Sequence, residues 1–231
     1  MAVAYDSSAA VASFTTTSPL TVSLTPSGTP KGILVFVFCD TDSTDNVTSA
    51  TYGGTTLTAV SGGFAQDTAG ELGFCKAYFL GSGIPTGTQS LSVSFTGSQN
   101  MWAAVIAVTA SGNTEVYTAG IVLLQGDGTL AEQSVTDGSP GSNSVRFAGL
   151  FTGLASPPSA GSNSTVIQSF DDGTLGASVV RETTAGQGSR SIGWSSGTSD
   201  DRAAVHLAVR ESASAVTHQM VSGGTVRAYH V

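Results

Sequence analysis

Charge is scarce in this 231-residue chain: 10% of its residues are Asp, Glu, Lys or Arg, against about 25% in an ordinary globular domain. The shortage falls hardest on cations. Two lysines and six arginines are scattered singly along the sequence against 16 acids, giving a formal charge of −8 and no basic run. Gripping a phosphate backbone takes clustered cations, so nucleic acid is not expected as a partner. Long apolar runs are missing too. No segment approaches the ~18 apolar residues of a membrane span. The opening MAVAYDSSAAVASF lacks both a positive n-region and an apolar core of ~7 to 15 residues. The expectation is a soluble chain with no membrane partner and no ordinary export signal.

Cysteine is limited to Cys39 and Cys75. Both lie in apolar β-type runs, where a small buried thiol is the ordinary outcome and a bridge would need neighbouring strands, so two free thiols are favoured. No HExxH, CxxC, Walker or Rossmann pattern occurs, and no stretch holds a 3.6-residue period. The sequons at Asn46 and Asn163 are read as chance in a chain rich in Ser and Thr.

What the chain does contain is glycine, 29 residues of it, and short strand signals about 8 to 12 residues apart with turn residues between them. Thr51–Thr58, TYGGTTLT, sets a Gly-Gly pair between two β-type runs. Glycine reaches positive φ without a Cβ clash, so Gly53 and Gly54 suit the primed turn of a hairpin between 47–52 and 55–60. Further strands are expected at 20–24, 33–39, 72–80, 90–95, 102–109, 116–124, 145–151, 165–170, 175–180, 189–194 and 203–209. ILVFVFC (33–39) and WAAVIAVT (102–109) are apolar on both faces and read as central strands. Ser90–Phe95 alternates cleanly, with Leu91, Val93 and Phe95 inward. Gly126–Asn143, with three acids and many turn residues, reads as a long solvated excursion.

The fold class is therefore all-β, as one jelly-roll-like antiparallel β-sandwich over residues 1–211 with a C-terminal arm or tail at 212–231. Two tandem β-domains divided near 111–117 are the alternative. AAVIAV (103–108) has an echo in AAVHLAV (203–209), with one residue of slippage.

Few residues suggest chemistry. Asp40, Asp42 and Asp45 put hard oxygen ligands at near-alternate loop positions, the pattern a Ca²⁺ ion would use. Asp171-Asp172 and Asp200-Asp201 are possible distant contributors, and an Asx-rich turn at the sandwich rim is the competing reading. Gly193-Trp194-Ser195-Ser196-Gly197 matches G-x-S-x-G, followed by Asp200, Asp201, His206, His218 and His230. A nucleophile elbow needs a strand-to-helix turn, whereas another strand is expected here, so catalysis is not expected. His206 is opposite Val205, Leu207 and Val209, where a structural histidine is usual. Trp102, Trp194, Tyr52, Tyr78, Tyr117 and Tyr229 offer a sugar platform or, by default, core packing.

In order, ILVFVF, TYGGTTLT, AYFL, PTGTQSLSVSFTG and WAAVIAVT, spanning about residues 30–110, resemble a group of β-sandwich proteins common among tailed-phage structural genes. The resemblance implies a non-enzymatic virion component that assembles in the host cytoplasm. A capsid cement or decoration protein is favoured, contacting the major capsid protein or other virion proteins and forming a homo-oligomer, with a trimer preferred. A tail or fibre component is the alternative. A carbohydrate or cell-surface binding module is a further one.

Overall fold

The computed structural model describes residues 3–70, 72–138, 143–195 and 199–212. The first half contributes β1 (Ala4–Ala10), β2 (Leu20–Leu24), β3 (Gly32–Cys39), β4 (Val47–Tyr52), β5 (Thr55–Thr56), β6 (Thr58–Asp67), β7 (Gly73–Leu80), β8 (Gln89–Phe95) and β9 (Met101–Thr109). The second contributes β10 (Thr114–Val116), β11 (Val122–Gln125), β12 (Gly128–Thr129), β13 (Gln133–Thr136), β14 (Val145–Thr152), β15 (Ser164–Asp171), β16 (Gly176–Glu182), β17 (Ser189–Ile192), β18 (Ser199–Asp200) and β19 (Arg202–Glu211). All pairings between these strands are antiparallel, and the described residues hold no α-helix.

These strands stack in four layers. The first half makes a five-stranded sheet, β1-β9-β3-β7-β6, covered by a four-stranded sheet, β2-β8-β4-β5. The chain crosses repeatedly between the two sheets, with only the β4-β5 and β6-β7 hairpins staying within one, a jelly-roll-like winding. The second half repeats the plan with a six-stranded sheet in which β10 and β11 both pair β19, followed by β14, β16 and β15. Its cover, among the described residues, is the two-stranded β13-β17 ribbon, extended by a bridge between Ala160 and Trp194, with β12-β18 as a further small ribbon. The large sheets of the two halves pack face to face.

Each strand pattern explains which layer it serves. On β3, Ile33, Val35, Val37 and Cys39 face the four-stranded cover while Leu34, Phe36 and Phe38 face the second half, so all are buried. β9 divides likewise, with Ala103, Val105 and Ala107 outward and Trp102, Ala104, Ile106 and Val108 toward the central seam. The seam is dense. A Cβ on Gly149 would sit 2.6 Å from Phe36 Cδ1, so the bare backbone of β14 makes room for that ring. β19 presents Val205, Leu207 and Val209 to the seam and Ala204, His206 and Ala208 to the β13-β17 cover.

The halves are fastened at both ends of the linker. Thr114 Oγ donates to the Lys31 carbonyl at 2.6 Å, and the Glu211 carboxylate accepts from Ser111 N–H at 2.8 Å and Ser111 Oγ at 2.6 Å. Ser212 N–H donates to the Asn113 carbonyl at 2.9 Å. Of the expected C-terminal arm, residues 213–231 lie outside the described residues.

The Gly-Gly hairpin forms as expected, with Gly53 at φ +55° and Gly54 at +79°. The strand after it changes sheets at Leu57 and runs on to Asp67 rather than ending near 60. Two other expectations are corrected. Val116–Leu124 is not one strand, because a 3-10 turn at Thr118–Gly120 separates β10 from β11. Gly126–Asn143 is not a solvated excursion throughout: Leu130 and Val135 are fully buried and β13 forms half of the outer cover. Cys39 and Cys75 are free and buried, on opposite faces of the five-stranded sheet.

Candidate functional site

The three loop aspartates are each held by separate partners. Asp40 Oδ2 accepts from Asn100 Nδ2 at 2.7 Å. Asp42 Oδ1 accepts from Thr44 N–H at 2.8 Å, an Asx turn, and Asp45 Oδ1 accepts from Val47 N–H at 3.3 Å. Asp45 also pairs with Lys76. Burial alone would disfavour the Lys76 ammonium, but hydrogen bonds and charge from Asp45 and the Tyr78 hydroxyl outweigh it and hold its pKa above the usual lysine value. The loop is thereby pinned to β7 and to the β8–β9 connection. Its carboxylates do not converge as a ligand set.

The G-x-S-x-G stretch forms no elbow that the described residues show. Ser195 N–H donates to the Ser159 carbonyl at 2.9 Å in an extended segment beside the Ala160–Trp194 bridge. Ser196, Gly197, His218 and His230 lie outside the described residues. Trp194 is fully buried, donates through Nε1 to Ser178 Oγ at 3.0 Å and stands edge-on to His206 at 5.6 Å between ring centroids. Trp102 and Tyr52 are also fully buried and Tyr78 nearly so, so these aromatics serve the core.

Folding brings together two groups that sequence reasoning did not assemble. One is a trio, Asp67, Asp127 and Asp201, whose carboxylate oxygens lie within 4.8 Å of one another, the one such acidic group among the described residues. Asp67 comes from the end of β6, Asp127 from the β11–β12 turn and Asp201 from between β18 and β19, so the trio straddles the seam. Asp67 is buried and accepts from Ala69 N–H at 3.0 Å and Arg202 N–H at 2.9 Å. The hydrogen bond from Asp201 and its charge push the Asp127 carboxyl above the usual carboxylate range, the mark of crowded like charges. Three hard oxygens at this spacing suit a divalent cation better than they suit each other.

The other is a buried ionic network under the β13-β17 ribbon. Arg146 on β14 is fully buried. Its Nη1 donates to Glu182 at 3.0 Å and to the Gly186 carbonyl at 3.1 Å, its Nε to the Val135 carbonyl at 2.9 Å, and its Nη2 to the Gly188 carbonyl. Asp137 lies 3.7 Å from Nη2 and accepts from Ser144 Oγ at 2.8 Å. Arg190 pairs with Glu182 from the other side. Burial nevertheless lifts the Glu182 carboxyl above its ordinary range, outweighing both arginines. The fixed partners and full burial make this a structural clamp.

Among the described residues, the outward-pointing strand positions of the two outer layers carry no charged side chain. On the four-stranded cover, Thr21, Ser92, Thr51 and Thr56 form one cross-strand row, with Ser23, Ser90, Ser94 and Ser49 beside it. On the ribbon, Ser134, Thr136, Ser189 and Ser191 repeat the motif. Sequence alternation pointed to the first face at Ser90–Phe95. The β13 half of the second, Ser134 and Thr136, was hidden in a stretch read as loop, while Ser189 and Ser191 fall in the strand expected at 189–194. Comparison with protein-family models, with curated proteins and with solved structures finds no match to this chain.

Proposed function

We propose that this protein is a non-enzymatic structural component of a tailed-phage particle, most simply a cement or decoration protein on the capsid shell. The observation that supports it is the distribution of polarity. A chain of charge −8 places Ser and Thr hydroxyls, and no charged side chain among the described residues, at the outward strand positions of both outer layers of a four-layer stack. Covering hydroxyls that can re-form hydrogen bonds across an interface has a far lower desolvation penalty than covering charges. Such faces suit repeated contact with protein neighbours, and the resemblance over about residues 30–110 falls on the half that carries the larger face.

The test is co-sedimentation of the purified protein with empty shells and, separately, with tails of the phage encoded beside it, together with light scattering of the free protein. Stoichiometric binding to shells by a trimer or another symmetric oligomer is expected. Binding to tails alone would move the protein to the tail. A strict monomer that leaves both unbound would overturn the reading.

A further inference from the structure

His206 sits mid-strand on β19, facing the ribbon, with no exposed surface and no hydrogen bond of good geometry on either ring nitrogen, the Val122 backbone on β11 lying across from it as a weak polar neighbour. Its surroundings are apolar: Ala148 directly across in register, with Leu130, Leu150, Val180 and Ile192 in the same cluster and the Trp194 ring edge-on. Gly193 comes so close that a Cβ there would lie 3.3 Å from Nε2. The charged side chains of the packed elements turn elsewhere. Glu132 goes to Ser162 and Asn163, Arg146 and Arg190 to Glu182, and Arg181 to the Tyr5 ring. On β19 itself, Arg202 and Arg210 are engaged at its two ends, with Thr129 and Glu115.

The fold does not require an imidazole at this place. If Leu207-Ala208-Val209 is laid on Ile106-Ala107-Val108, so that core faces correspond, His206 falls on Val105 and its partner Ala148 on Val35, the partner of Val105. The first half fills the site with two valines. The second uses a polar ring against an alanine, and a buried ring N–H without a well-formed hydrogen bond is costly to keep.

We propose that His206 is an acid-operated latch: neutral, it lets the β13-β17 ribbon and Trp194 close over β19, and protonated, it drives that thin cover off while the other layers stay shut. The inference stands independently of the virion reading. Opening would expose Leu130, Val135, Ile192 and Trp194, all fully buried when the cover is closed.

Burial pushes the imidazole down to about 4, against an ordinary 6.5, and the nearby Val122 backbone only partly offsets it. The closed cover therefore prefers the neutral ring and the open one takes the proton. Closure is fully favoured above pH 6.5 and is lost progressively as pH falls toward 4. Over that window the opening constant rises by about 100-fold, toward a limit of about 300-fold well below pH 4.

The experiment is amide hydrogen exchange on the full chain between pH 7 and 4, corrected for intrinsic rates, comparing β13 and β17 with β2 and β8. It is run on the wild type, on His206→Gln, and on the double variant Ala148→Val, His206→Val, which rebuilds the valine pair. Glu182 lies under the same ribbon and titrates on acidification too, so the two variants isolate the histidine. The wild-type ribbon should lose protection by about 100-fold or more on reaching pH 4, with β2 and β8 unchanged. Whichever variants fold should lose much less. An equal loss in a folded variant, a wild-type ribbon protected down to pH 4, or a loss shared by every layer would each overturn the latch.

Discussion

Replacing Arg146 by Met should be among the most damaging single changes available, and its pH dependence should show why. The guanidinium is fully buried between Glu182, Asp137 and three backbone carbonyls. Two of those carbonyls keep another donor: Gly186 still receives Ser144 N–H and Oγ, and Gly188 still receives Asp137 N–H. The loss therefore falls on the carboxylates. Removing one partner of a buried ion pair typically costs about 3–5 kcal/mol, because the other charge stays behind. Arg190 reaches Glu182 from a partly exposed position and cannot take over the contacts to β13 and the 183–190 loop.

Without Arg146, the Glu182 carboxyl, already raised by burial, loses its principal counter-charge and rises further. A carboxyl whose folded pKa lies above its unfolded one holds more protons in the folded state, so its contribution to stability worsens as pH rises through that interval. The deficit of Arg146→Met should therefore be largest near pH 7 and shrink as pH falls toward the ordinary glutamate value of 4.5. Urea unfolding at both pH values measures it. Adding Glu182→Met should recover more than half of the loss, a double-mutant coupling that two independent sites would not show. A deficit under about 1 kcal/mol, or one that grows on acidification, would refute the clamp.

Gly149→Val should destabilise by roughly 2–3 kcal/mol in the same assay, since the new side chain must displace the Phe36 ring, 2.6 Å away, and Phe38, 3.1 Å away, in a packed seam. Asp201→Asn should raise the melting temperature in chelator-treated buffer, because it removes one of three crowded carboxylates and the repulsion that raises Asp127. A lower melting temperature in chelator would mean that Asp201 stabilises the turn more than it strains the trio.

The central strands were legible because burial on both faces leaves a continuous apolar run, as in β3 and β9. The hairpin was legible because only glycine suits φ of +55° and +79° in succession. β1 was not, because AYDSSAA is an edge strand held by its pairing with β9 and by Ser8 contacts to β15, neither of which leaves an apolar period. β13 was hidden because Val135 alone marks its inner face among acids and turn residues. The repeat was visible only as a slipped echo. Matching Ala103 to Ala203 pairs a residue facing its own cover with one facing the seam, whereas matching Ile106 to Leu207 restores the faces. Neither the aspartate trio nor Arg146 has a local signature: Asp67 is far along the chain from Asp127 and Asp201, and VRFAGLF reads as any buried strand.

The two halves share a winding but not a distribution of polarity. The first closes its core with four strands and apolar pairs such as Val35 and Val105. The second closes with two strands over His206 and beside the Arg146 network, so its cover combines the smallest paired area with groups whose pairing depends on pH. Local opening free energies follow buried apolar area and the backbone bonds that must break. The ribbon is therefore where this stack should yield first, leaving the first half and the seam intact. A particle component built this way would keep its larger hydroxyl face rigid while the opposite face remained conditional on acidity.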